Sequence, residues 1–404
     1  MFSSSESDIE RMSIKAKSNA DTEAVIEKHR LRTWIELDRS ALAHNIGLFR
    51  GILPAGCRLM AVAKSNAYGH GLYDFVPALD QLGADWLGVD SIVEAATLRE
   101  TGIEKPILVL GYTLPARIEE AARRRISLTV SSFESLAAVG RSGAGEKVQV
   151  HIKIDTGLHR QGFLPAQVPE LGAVLRRDHP GLGIEGLFTH FAAAKDPDDT
   201  AYTRGQIEAF RRAVEIFRTA GYRPLLHACA TAGVFLYPEA HFDMVRVGIG
   251  LVGLWPSLKM KPTFERKYEL RPVLTWRTII SEIKRLSAGA RIGYDLSETL
   301  ARDSVVGVCP IGYWHGFSRA LSRTAEILVR GRRVRVLGNV TMDMIVVDLS
   351  DVPDARVEDT VTIIGRDGGE EVTAYEVAGL AGQSFYELLT RLNPLIRKYD
   401  LDGD

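Results

Sequence analysis

The stretch Leu59-Met60-Ala61-Val62-Ala63-Lys64-Ser65-Asn66-Ala67-Tyr68-Gly69-His70-Gly71 puts an amine at the end of an apolar run and a phenol four residues later. A short, unbroken apolar run bounded by turn residues reads as a buried strand. Lys64 then stands at a strand's carboxyl end, where α/β proteins build their sites. Apolar surroundings lower an ammonium's pKa, and the neutral amine can form a Schiff base. By type and position alone, Lys64 also fits a solvated surface lysine. In His151-Ile152-Lys153-Ile154-Asp155-Thr156-Gly157-Leu158-His159-Arg160-Gln161-Gly162-Phe163, charges alternate with apolar residues before the chain breaks at glycine. Arg160 has the planar fork that grips a carboxylate through two parallel hydrogen bonds. Alone, Lys153 and Arg160 fit a surface strand equally well. His190 ends the run Gly186-Leu187-Phe188-Thr189, where a histidine is more often a packed core residue than a catalyst. In Asp243-Met244-Val245-Arg246-Val247-Gly248, the glycine lets backbone N–H groups approach a phosphate. Without its flanks, Arg246 reads as a strand-end salt bridge.

Alternating strand and helix patterns must position these residues. Thr33-Trp34-Ile35-Glu36-Leu37-Asp38 alternates like a half-buried strand, and a helix pattern follows from Asp38 or Ser40. Strand patterns recur at 59–63, 86–89, 106–110, 127–130, 148–154, 184–189, 225–228 and 244–247, with helical patterns between most of them. Repeated β–α units imply parallel strands, and closing about eight gives a TIM-like (β/α)8 barrel over residues 31–258. An open doubly wound sheet fits the same pattern, although the glycines near Lys64 do not form GxGxxG. After Trp255-Pro256 the texture changes, and strand-like segments dominate from Val273. The fold class expected is therefore α/β, a barrel followed by a mainly β domain over 259–404, with the first strand free to join either. One late helix is expected at 374–381.

The bulk numbers bound the function. A chain of 404 residues accommodates two domains, and 46% hydrophobic with 25% charged residues is ordinary globular composition. A net charge of −1 offers no polyanion-binding surface, so no nucleic-acid partner is expected. Cys57, Cys229 and Cys309 are scattered, which argues against a disulfide framework or a zinc site and fits a reducing, cytoplasmic setting. No metal and no membrane span are expected. Residues 1–30 are polar with mixed charges and no apolar h-region, and they read as a flexible extension.

The segment 62–71 resembles the pyridoxal-phosphate (PLP) lysine motif of the alanine racemase family. The resemblance implies that Lys64 holds the cofactor covalently and Tyr68 binds its phosphate. The segment 151–163 is similar to the family's KxDTGMxRxG pattern, with Leu158 for methionine and His159 for a small residue. It implies that Arg160 binds the substrate carboxylate and that a carbamylated Lys153 orients it. His190 would lie over the PLP ring face. Thr231 keeps a phosphate-binding hydroxyl, although Ala230 replaces the usual asparagine. The segment 243–253 resembles DMVRPGIxLYG, with Val247 for proline and Val252 for tyrosine. There Arg246 would donate to the pyridine nitrogen, and Gly248 and Ile249 would meet the phosphate. Tyr294 precedes Tyr313 by the family interval, 313 − 294 = 19, which marks Tyr294 as the second base beside Lys64. The family's YGxxY surroundings are replaced by Tyr294-Asp295-Leu296-Ser297, and His315 stands for the aspartate of its GYxDG turn. Tyr313, Met342 and Asp343 would line the substrate side, and Tyr386 would reach the phosphate.

The resemblance spans residues 34–399 in family order. It implies two-base racemisation of a small amino acid, most simply L-alanine to D-alanine for cell-wall peptidoglycan. It also implies a head-to-tail homodimer whose sites are shared between subunits. A serine, lysine or broad-specificity racemase is the rival enzyme. A non-catalytic PLP-binding protein is the rival of another class, and the β domain with Tyr294 argues against it.

Overall fold

The computed structural model describes residues 30–144 and 147–401. The expected extension over 1–30 therefore lies, but for Arg30, outside the described residues. The chain forms two units: Asp38–Val273, and residues 30–37 together with Leu274–Leu401. The strand β1 (Thr33–Asp38) pairs antiparallel with Leu274–Ile279, so it belongs to the second unit's sheet.

The first unit is a closed barrel of eight parallel strands: β2 (Arg58–Val62), β3 (Trp86–Val89), β4 (Ile107–Val109), β5 (Ile126–Val130), β6 (Gln149–Lys153), β7 (Gly183–Phe188), β8 (Leu225–Ala230) and β9 (Met244–Val247). Closure through the β2–β9 pairing excludes the open sheet. Strands covered on both faces carry unbroken apolar runs, and β3, β4, β5 and β9 are buried at every position. Inside, Met60, Trp86, Leu108 and Met244 form a core cluster that Val62, Leu110 and Leu225 pack against. Two register shifts interrupt the ladder, at Val150/His151 between β6 and β7 and at His227/Ala230 between β8 and β9. Such bulges re-aim side chains. The helix Arg39–Ile52 begins where expected, with the Asp38 carboxylate accepting the Ala41 N–H at 2.8 Å.

The change of texture put the boundary at residue 258, but the barrel unit continues to Val273. The reason is aromatic packing: Phe264 and Tyr268 lie against Phe235, at ring-centroid distances of 5.5 and 5.4 Å. The second unit is a ten-stranded sheet. Nine strands run in the order Glu282–Leu286, Ser304–Cys309, Ile345–Asp348, Arg332–Leu337, Glu326–Val329, Thr360–Asp367, Leu274–Ile279, Thr33–Asp38 and Lys398–Leu401, and the tenth, Glu370–Val372, pairs with Thr360–Asp367 off this path. The late helix spans Ala374–Leu380, and a further one, Phe385–Thr390, comes after it in a stretch with no helix expectation.

Candidate active site

Lys64 leaves the barrel directly after β2, as a residue at a strand's carboxyl end should. The turn beyond it has an uncommon backbone. Ser65, Asn66, Ala67 and Tyr68 all have left-handed φ, at 57, 55, 52 and 54°. Each non-glycine residue there costs about 1–2 kcal/mol, so the neighbourhood must enforce the shape. The Asn66 N–H donates to Glu94 Oε1 at 3.2 Å, and the Asn66 side chain accepts the Leu72 N–H at 2.9 Å. Lys64 Nζ stands 4.0 Å from Asp90 Oδ1.

The turn delivers Tyr68 to β9. A Cβ on Gly248 would run into the Tyr68 hydroxyl, so only glycine leaves room. Burial pushes the Tyr68 phenol up to about 12, which keeps it a proton donor at neutral pH. The buried Thr231 hydroxyl accepts the N–H groups of Gly248 at 3.3 Å and Gly250 at 3.4 Å. Ile249 is itself buried, so it can offer a ligand its backbone alone. The Tyr68 and Thr231 hydroxyls and the Ile249 backbone thus lie together in a small cradle, two hydroxyls and an amide of the kind a phosphate needs.

Arg246 on β9 is buried. Its NH1 donates to His227 Nδ1 at 2.8 Å, and its NH2 to the carbonyls of Thr189 at 2.7 Å and Ala228 at 2.8 Å. NH2 also meets His190 Nδ1 at 3.2 Å. Among the described residues its Nε–H has no hydrogen-bond partner. Burial lowers the guanidinium pKa to about 10, which still leaves it charged at neutral pH. Burial first, and then the charges of Arg246, Arg160, Lys153 and Lys64, hold His190 well below the usual histidine range. His190 is therefore neutral at neutral pH.

Lys153 ends β6, with Nζ donating to Gln161 Oε1 at 3.1 Å. Burial, then the charges of Arg160 and Arg246, bring its pKa down to about 8. Arg160 is exposed and makes no ion pair among the described residues. Its loop is shaped by Asp155, whose Oδ1 accepts the N–H groups of Gly157 at 3.0 Å and His159 at 2.9 Å. Four cations thus act on one neutral imidazole at the strand ends. Such a field suits an anionic ligand.

The second unit gathers its own set. Tyr294 is 73% exposed, and its carbonyl accepts from the Asn339 side chain at 3.4 Å. The Tyr313 N–H donates to the Thr341 carbonyl, and the Trp314 N–H to that of Met342, both at 3.0 Å. Tyr294, Tyr313, Met342 and Asp343 therefore lie on neighbouring turns, and all four are exposed. Tyr386 is half-buried on Phe385–Thr390, and Asn393 beyond that helix donates to the Trp314 carbonyl at 3.1 Å. Burial lowers the His315 pKa, while the nearby Asp343 opposes it.

Sequence reasoning missed His227, which grips Arg246, and His151 and Glu185 behind it. A signal was present. His227 and Glu185 are lone polar residues in otherwise apolar parallel strands, and a buried polar group needs a designated partner; His151 stands between Gln149 and Lys153 and is less conspicuous.

The family profile described as "Alanine racemase, N-terminal domain" matches residues 37–256, and "Alanine racemase, C-terminal domain" matches 273–399. An alanine racemase of Symbiobacterium thermophilum is 43% identical over 371 residues, covering 91% of this chain and 96% of that one. One from Desulfosudis oleivorans is 36% identical over 92% of this chain and 97% of its own. Among solved structures, the alanine racemase of Clostridium difficile superposes with a TM-score of 0.86 at 32% identity, covering 92% of this chain and 96% of that one. The Bacillus anthracis enzyme with bound L-Ala-P also gives 0.86 at 32% identity, over 92% of this chain and 95% of its own. Among the described residues no helix is long and apolar enough to cross a membrane.

Proposed function

The chain belongs to the alanine racemase family, and on that premise we propose that it interconverts L- and D-alanine with pyridoxal phosphate as its cofactor. The observation that carries this reading is the convergence of Lys64, Lys153, Arg160 and Arg246 on the neutral His190, beside the Tyr68–Thr231–Gly248 cradle. The Tyr68 and Thr231 hydroxyls and the Ile249 amide fit the cofactor phosphate, while Gly248, whose N–H is taken by Thr231, leaves room for Tyr68. The unspent Nε–H of Arg246 fits its ring nitrogen, Lys64 Nζ its carbonyl carbon and His190 its ring face. Bound there, the cofactor supplies a conjugated ring that takes up the electron pair left when a proton departs Cα.

The chain's own groups do the rest. Arg246 keeps its proton and donates a hydrogen bond, so the ring nitrogen stays unprotonated and charge stays near Cα, which favours return of a proton there. Arg160 and the backbone near Met342 hold the substrate carboxylate, and a carbamylated Lys153 would orient Arg160. Lys64 Nζ moves the proton on one face of Cα and the Tyr294 hydroxyl on the other. A tyrosine hydroxyl needs help to act as a base at neutral pH, and His190 is the group proposed to give it. Tyr294, Tyr313, Met342 and Asp343 act from a second copy in a head-to-tail dimer, with Tyr386 closing the phosphate side. The setting proposed is cytoplasmic, with D-alanine supplied to peptidoglycan.

The test is incubation of PLP-loaded protein with L-alanine, L-serine or L-lysine in heavy water. Cα-deuterated D-alanine should dominate. Faster exchange with serine or lysine would move the substrate, and no exchange on any of them would overturn the reading.

A further inference from the structure

Behind Arg246 lies a chain of hydrogen bonds, buried at its two histidines and half-buried at its Glu185 end, that the proposed reaction does not use. His227 Nε2 meets His151 Nδ1 at 2.8 Å, and His151 Nε2 meets Glu185 Oε2 at 3.3 Å. The Ser127 hydroxyl donates to the same Glu185 oxygen at 2.5 Å. His227 and His151 are fully buried. Four strands supply the links, β9, β8, β6 and β7, and the path descends from the carboxyl end of β9 to the amino-terminal half of β7.

Only one proton arrangement satisfies every bond. A guanidinium only donates, so His227 Nδ1 must accept and its proton sits on Nε2. That proton forces His151 Nδ1 to accept, which places the His151 proton on Nε2. There it meets a carboxylate, which only accepts. A proton added to His151 Nδ1 would face the His227 Nε2–H. Moving the latter to Nδ1 would set it against Arg246. Burial and the Arg246 charge also hold His227 well below the usual histidine range. His151 is lowered too, by burial, against the opposing pull of Glu185. The other charge near the lower end is Arg58, which helps keep Glu185 ionised.

The local build protects this arrangement. Both imidazoles sit at the two register shifts of the barrel. A Cβ on Gly186 would collide with the His151 ring, so that position must stay bare. The Phe188 ring stacks on His227 at 4.7 Å and 6°, and Trp86 meets His151 edge-on at 5.3 Å.

We propose that His151 and Glu185 are positioning residues for racemisation. Through two neutral imidazoles of fixed tautomer, an anion toward the opposite end of the barrel orients the Arg246 cation and balances its charge. This deepens the reading of Arg246 as the partner of the ring nitrogen and rests on it. Glu185 touches neither substrate nor cofactor. Its contribution is to make one orientation of Arg246 the only fully bonded one.

The apo protein, labelled with 15N-histidine, tests the arrangement without cofactor. Two-bond proton–nitrogen correlation spectra at neutral pH should show His151 and His227 as Nε2–H tautomers. An Nδ1–H tautomer or an imidazolium at either would overturn the proposal, whatever the protein catalyses. The variants Glu185→Leu and Glu185→Gln then separate position from structure. Glu185→Leu should mix the His151 tautomers and lower the alanine-exchange kcat about tenfold or more, with KM little changed. Glu185→Gln keeps a carbonyl acceptor and should restore most of both. Unchanged tautomers and kcat in a folded Glu185→Leu protein would also overturn it. Failure of the wild type to take up pyridoxal phosphate would sink the cofactor reading instead, and the apo spectra would still decide the tautomers.

Discussion

Lys153 is buried beside two guanidinium groups, so desolvation and then the charges of Arg160 and Arg246 bring its pKa to about 8. The unfolded chain keeps this proton up to the ordinary lysine value of ~10.4. Between the two values the unfolded state binds more protons, so stability rises with pH. The penalty for burying the ammonium is complete below about pH 8 and gone above the ordinary value. In bicarbonate-free buffer, the stability advantage of Lys153→Met over the wild type should shrink by about 2–3 kcal/mol between about pH 7.5 and 10, read by denaturant unfolding. A constant difference would mean that the amine titrates normally. With 13C-bicarbonate, a carbamate signal on Lys153 should instead grow as pH rises through about 8, because only the neutral amine reacts. Gly248 makes a second prediction at this scale. In Gly248→Ala the new Cβ displaces the Tyr68 hydroxyl, and overpacking of this kind costs about 1–3 kcal/mol. Pyridoxal-phosphate affinity, by fluorescence titration, should fall about tenfold or more. Unchanged affinity would remove Tyr68 from the cradle.

At the scale of elements, the left-handed turn after Lys64 depends on a helix far from it in sequence. Glu94, in the first turn of Ile92–Glu100, accepts the Asn66 N–H through Oε1 and the Asp90 N–H through Oε2 at 2.9 Å. Glu94→Ala leaves both donors without their acceptor and should cost about 1–3 kcal/mol in denaturant unfolding. A loss within error would show that the turn holds itself. Here the limit of sequence reading is visible. The barrel was legible because eight apolar runs at β–α spacing have few other ways to be buried. Lys64 was legible because an abrupt polar residue after such a run marks a strand end. The left-handed turn was not, because only Asn66 in Ser65-Asn66-Ala67-Tyr68 is of a type that favours that backbone; the rest is imposed from Glu94 and β9. The boundary at Val273 was missed for a similar reason, since Phe264 and Tyr268 reveal their unit only by packing on Phe235. His227 behind Arg246 could be read as a polar exception in an apolar strand, but its pairing with His151 across β6 and β8 needed the register shifts.

At the scale of the whole molecule, the proposed site residues fall in two sets, one on each unit. Lys64, Arg160 and Arg246 belong to the barrel, and Tyr294, Tyr313 and Met342 to the sheet unit. The sheet unit also displays Trp314, Met342 and Met344 at 50% exposure or more. These are apolar groups that a dimer with shared sites would cover. A twofold dimer that shares its sites makes a quantitative demand. Lys64→Ala and Tyr294→Phe each disable every site of their own homodimers. In a mixed dimer with sites built in trans, one site loses both residues and the other keeps both. Random co-assembly makes about half the dimers mixed, so co-expressed variants should recover about a quarter of wild-type activity. Sites built within one chain would each lack one base, and co-expression would then recover nothing. Separately purified tagged subunits give the control, because recovery in trans must follow the mixed dimer through purification and disappear from both parents.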